Sequence, residues 1–134
     1  MTEDEIGAII VQAAYDIHCD LGPGMLESVY EVVLAGMLRE KGLRVDRQYA
    51  IPIVYKGTKF DEGFRADLFV ESKVIIKVEA VQVLANAHRK QLLTYLKLAG
   101  IRLGYLSNFW GDRIKGNIER TANGLNESGR NSPL

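Results

Sequence analysis

A single cysteine, Cys19, excludes an intrachain disulfide and leaves no partner for a zinc knuckle. In its helical surroundings it reads as a small helix residue. No apolar run approaches the ~20 residues of a membrane span, and the opening "MTEDEIG" is acidic where a secretory signal is basic. The expectation is a cytoplasmic protein with no membrane partner. Low-complexity tracts and internal repeats are also missing. Net charge is zero, which removes any global electrostatic signature of nucleic-acid binding. The charges are unevenly spread all the same. Residues 1–42 carry two Lys/Arg against eight Asp/Glu, and residues 86–134 carry eight against three. A basic C-terminal half is compatible with a phosphate-facing surface, and equally with ordinary solvated charge.

What is present suits one soluble domain of 134 residues, 47% hydrophobic and 25% charged. Thr2 followed by Glu5 forms a capping-box signature, and Ile6, Ile9, Ile10, Ala13, Ile17 and Leu21 recur at helical spacing. "GPG" at 22–24 breaks the chain. A second helix is predicted with Leu26, Val29, Tyr30, Val33, Met37 and Leu38 on one face, stopping at Gly42. The period then changes. "RVDRQYAIPIVYKGTKF" reads as extended, with Pro52 marking an edge strand and Lys56-Gly57 a turn. "FRADLFVE" alternates Phe64, Ala66, Leu68 and Val70 against Arg65, Asp67, Phe69 and Glu71, "ESK" is a hairpin turn, and "VIIKVEAV" pairs back. A third helix runs through Leu92, Leu93, Leu96 and Leu98 to Gly100, followed by a strand from Arg102 to Phe109. "GDRIKGNIERTAN" reads as a short strand or helix. The expected division is one domain over residues 1–120 and a flexible tail over 121–134. The order α, α, β, β, β, α, β predicts an α/β layer around a mixed sheet.

Polar residues collect on this scaffold. Asp67 lies mid-strand, and Lys77 and Glu79 share one face of the neighbouring strand. Glu27 opens the second helix, and Gln91 and Tyr95 are spaced i, i+4 on the third. Carboxylates gathered at a sheet hold hard cations such as Mg²⁺, and a metal so held activates water beside a phosphate, with a lysine to support the nucleophile. Blander roles exist for each: a cross-strand ion pair for Lys77 and Glu79, helix-dipole compensation for Glu27, core packing for Tyr30 and Tyr95. Arg65, Arg89 and Lys90 read as phosphate contacts or as surface charge.

"GMLESVY" fits a GxxExxY signature through Gly24, Glu27 and Tyr30, and "HCDLGPGMLESVYE" resembles the family named after it. The resemblance continues through "YKG", "FRADLFV", "QLLTYLKL" and "LGYLSNF", over roughly residues 5 to 118. That family lies in the PD-(D/E)XK nuclease-like superfamily, which implies a restriction-endonuclease-like mixed sheet flanked by helices. It further implies Glu27 and Asp67 as metal-binding acids, with Gln91 and Tyr95 as a QxxxY motif positioning the strand. His18 matches a histidine usual in the family, and reads as structural near the GPG turn. The third motif should read Glu-x-Lys and here reads Lys77-Val78-Glu79, with acid and base exchanged. If active, Glu27, Asp67 and Glu79 would hold Mg²⁺ or Mn²⁺ and Lys77 would support the attacking water. The expected function is a nucleic-acid-binding, nuclease-like protein acting on DNA or RNA with weak or lost hydrolysis. The alternative is an inactive module of the same fold for binding or self-association, in which Lys77 replaces the metal by pairing with Asp67. The resemblance also implies a homodimer.

Overall fold

A computed structural model describes residues 1–114 and 116–125. The chain forms α1 (Glu3–Leu21), α2 (Glu27–Glu40), β1 (Val45–Tyr55), β2 (Thr58–Val70), β3 (Val74–Glu79), α3 (Asn86–Ala99), β4 (Leu103–Asn108) and β5 (Ile118–Ala122). The capping box at the start of α1 is real: Thr2 Oγ1 accepts from Glu5 N, and Glu5 Oε1 accepts from Thr2 N. Gly100 ends α3 in the left-handed region at φ 70°. No helix among the described residues is long and apolar enough to cross a membrane.

The sheet has strand order β1-β2-β3-β4-β5. β1, β2 and β3 make an antiparallel meander, β3 and β4 pair in parallel, and β5 returns antiparallel to β4. The parallel step needs a crossover, which α3 supplies. Three residues, Glu71 to Lys73, join β2 to β3, with the φ values of Glu71 and Ser72 both positive, at 52° and 53°, as tight hairpin turns demand. Pro52 lies on the sheet edge, where the β1–β2 register shifts between Ile51 and Ile53. A residue without an N–H is tolerated there.

Helices α1 and α2 cover one face, packing Ile6, Ile10, Tyr30, Leu34 and Leu38 onto Leu68, Val70, Ile76, Val78 and Tyr105. Helix α3 covers the other, where Leu92 and Leu96 meet Ile51, Ala66, Phe69, Ile75 and Leu106. Two expected core positions face outward. Leu21 ends α1 at 43% exposure, and Leu26 caps α2 at 74% exposure, while Leu34 and Ala35 fill that helix's buried side.

Strand β2 departs from the predicted alternation. Leu68 and Val70 face α1 and α2, but Phe64 and Ala66 pack on the α3 side with Phe69. The strand rolls over at Asp67. There the β2–β3 ladder ends, its last pair being Leu68 with Ile76, and the opposite residue on β1, Gln48, has φ 50°. At the C-terminus the described fold outlasts residue 120: β5 runs to Ala122, Asn123 N donates to Arg102 O, and Leu125 packs on the core. Residues 121–125, expected in the flexible tail, thus belong to the described fold, and residues 126–134 of that expectation lie outside the described ones.

Candidate active site

The separation of β2 from β3 leaves the Val78 N–H without a strand partner, and the Asp67 side chain fills the gap. Its Oδ2 accepts from Val78 N at 2.7 Å. The carboxylate therefore lies between two strands instead of standing on a face. Its Oδ1 is met by Gln48 Nε2 at 3.4 Å, and the same amide donates to Glu31 Oε1 at 2.6 Å. Glu31 is buried on α2, and Arg47 closes on its Oε2 through Nε at 3.0 Å and a terminal nitrogen at 2.9 Å. Arg65 donates to Gln48 O at 2.8 Å, bracing the unusual backbone. Neither Gln48 nor Glu31 was singled out from sequence. A positive φ at a glutamine leaves no compositional trace, and an acid in mid-helix reads as surface.

Strand β3 keeps its period. Val74, Ile76 and Val78 go to the α1/α2 core, while Ile75, Lys77 and Glu79 face α3. This side is covered: Glu79 is 8% exposed, so the charged pair does not stand on a solvated face. Lys77 Nζ lies 3.8 Å from Asp67 Oδ2 and 3.8 Å from Glu79 Oε1. Burial pushes the Glu79 carboxyl above its ordinary 4.5, with Lys77 opposing the shift and Glu27 and Asp67 adding to it. Glu27, at the first turn of α2, accepts from Ala80 N at 3.3 Å through Oε1, just past the end of β3.

Gln91 and Tyr95 reach the same cleft as Lys77 and Glu79, together with Phe64, Arg65 and His88. They are engaged with their neighbours. Gln91 Nε2 donates to Tyr95 Oη at 2.9 Å, and Tyr95 stacks on Phe64 with ring centres 4.0 Å apart. The enclosed space is about 10 Å³, room for about one water. Arg89 turns elsewhere: its guanidinium holds Glu119 of β5 at 2.7 and 2.8 Å and Asn86 at 2.8 Å. That bidentate grip makes it a tie between α3 and β5 rather than a free phosphate contact. Lys90 stands exposed on α3. His18 and Tyr30 serve the loops, His18 Nε2 lying 2.6 Å from Gly111 O and Tyr30 Oη donating to Gly22 O at 2.6 Å.

A divalent cation at Asp67 and Glu79 needs oxygen ligands converging on one point. Among the described residues no group of three His, Cys, Asp or Glu side chains is placed to hold a metal ion. The reason is local. The ammonium of Lys77 stands 3.8 Å from each of the two carboxylates, and Asp67 Oδ2 is already taken by Val78 N. As arranged, these residues do not fit a metal.

Glu27, Asp67, Lys77 and Glu79 nevertheless gather around the point where β2 and β3 part, on a mixed sheet between helices. No curated protein and no solved structure matches the chain significantly. A family model described as the PD-(D/E)XK nuclease superfamily matches residues 4–121, and the chain belongs to that superfamily.

Proposed function

We propose that this domain engages nucleic acid through a nuclease fold whose metal-dependent phosphodiester hydrolysis is weak or lost. The carrying observation is the placement of Lys77 Nζ, 3.8 Å from each of the two carboxylates that would otherwise share a cation. A fixed ammonium supplies one positive charge to that pair, as Mg²⁺ or Mn²⁺ would supply two, but it lowers the pKa of no water. The order Lys77-x-Glu79 is read as an exchange of the Glu-x-Lys pair, and the GxxExxY residues Gly24, Glu27 and Tyr30 support a place in the narrower family. Superfamily membership supports DNA or RNA as the partner. Arg65, exposed beside the α3 cleft, and Lys90, exposed on α3, are cations on offer to phosphates.

A nuclease assay on the exchanged protein, K77E with E79K, tests this. The natural chain is expected to leave single- and double-stranded substrates intact in Mg²⁺ or Mn²⁺, and the exchanged chain to cut them. Asp67-dependent cleavage by the natural chain would overturn the reading.

A second reading, self-association, is favoured by the edge strand. β1 ends the sheet, and Tyr49, Val54 and Tyr55 on it, with Phe60 on β2, are 40% to 56% exposed. An open apolar edge is a pairing template. Sedimentation equilibrium decides it, a monomer at all concentrations ending that alternative.

A further inference from the structure

A second and larger concavity, of about 530 Å³, opens where β3 and β4 end. It lies between Gly24, Met25, Leu26 and Glu27 on one wall and Ala80 and Trp110 on the other. Both walls are fastened by side chains the proposed site does not use. Tyr30 Oη donates to Gly22 O at 2.6 Å and accepts from Met25 N at 3.3 Å, fixing the GPG turn. Its buried ring stacks on Phe109, centres 4.4 Å apart. Opposite, Asn108 Oδ1 accepts from Trp110 N at 3.2 Å and from Val81 N at 3.1 Å. Phe109 N donates to Glu79 O at 3.0 Å, and His18 reaches Gly111 O at 2.6 Å.

The backbone on each side of Trp110 is therefore pinned, yet the residue is 49% exposed. An exposed aromatic ring carried on a fixed backbone beside a carboxylate is what binding uses. Glu27 joins this groove to the candidate site, since its Oε1 takes the Ala80 N–H and its charge acts on Glu79.

We propose that the groove takes one unpaired nucleobase of a single-stranded nucleic acid, stacked on Trp110, with the Glu27 carboxylate accepting from the base's exocyclic amine. The inference rests on the nucleic-acid reading above and names the strand form that reading leaves open. An unpaired base presents a free π-face and its pairing edge, which a duplex withholds. Carboxylates accept from the cytosine amine, so cytosine is the base to try first. The groove's own residues offer no cation, so it suits a base and leaves the phosphates outside.

The chain has one tryptophan, so its emission reports on this groove alone. Full-length protein is titrated with short oligo(dC), read by tryptophan emission and, in parallel, by anisotropy of a labelled strand. Saturable quenching is expected, with the matched duplex leaving the emission unchanged. W110A should weaken strand binding by roughly 5- to 150-fold, the loss of one stacked base, and W110F by less. Unchanged circular dichroism qualifies each variant, and W110L, apolar but without a π-face, stands in if W110A does not fold. Strand binding without quenching, affinity in W110A or W110L equal to the natural chain's, or equal quenching by the duplex would overturn the groove proposal and leave the nucleic-acid reading standing. Quenching by an apolar peptide but not by the strand would do the same in favour of a protein partner. Flat anisotropy at every concentration would overturn both.

Discussion

Lys77 and Glu79 form an ion pair set into a covered surface, and the pH response of Glu79 follows from its burial. Burial raises the Glu79 carboxyl above its ordinary 4.5. A raised carboxyl means the folded state holds more protons than the unfolded one between the ordinary and the raised value, so stability falls as pH rises through that window. E79Q cannot ionise and should lack that fall. Urea denaturation of both proteins from pH 4 upward checks it, and parallel curves would contradict it. The sequence placed Lys77 and Glu79 on one face because β3 keeps an unbroken period of two. The alternation puts Asp67 on the less apolar face of β2, whereas β2 rolls over at that residue and its carboxylate lies between the strands. The roll depends on a backbone N–H at Val78 seeking an acceptor and on Gln48 at φ 50°. Such contacts between distant segments have no local signature.

At the level of elements, most boundaries were legible because they rest on local chemistry. Thr2 with Glu5 starts α1, Gly22 and Gly100 stop helices, and Pro52 belongs on the edge strand. β5 was ambiguous from sequence, since five residues, Ile118–Ala122, become a strand only by pairing with β4. The break between α1 and α2 was read from glycine and proline, but what holds it is Tyr30. Its hydroxyl ties Gly22 O and Met25 N from inside the core. Y30F keeps the ring and its stack on Phe109 but leaves the part-buried Gly22 carbonyl without its donor. The expected cost is about 0.5–1.5 kcal/mol, measured by chemical denaturation. A variant as stable as the natural chain would show that the turn holds itself.

Over the whole molecule, the drift from an acidic N-terminal to a basic C-terminal part finds an internal use. Asp4 on α1 meets Arg120 on β5 at 3.0 Å, and Glu3 lies 3.9 Å from Arg102. Arg89 ties α3 to Glu119 of β5 across the opposite face. The basic half therefore closes partly on the acidic one, and only the remaining cations are left for a partner. Arg120 is the least exposed of these, its side chain at 10%. R120A removes this charged hydrogen bond to Asp4 and should cost about 1–2 kcal/mol. A thermal melt within error of the natural protein's would contradict that. This pairing has no local signature, since opposite charges over a hundred residues apart read simply as surface until the fold brings them together.

The central claim is that the Lys77 ammonium stands in the place of a divalent cation, and calorimetric titration of the natural chain with Mn²⁺, beside D67N and the K77E/E79K exchange, tests it most directly. The expected result is no Asp67-dependent heat from the natural chain and saturable binding by the exchanged one. Binding by the natural chain that vanishes in D67N would contradict it.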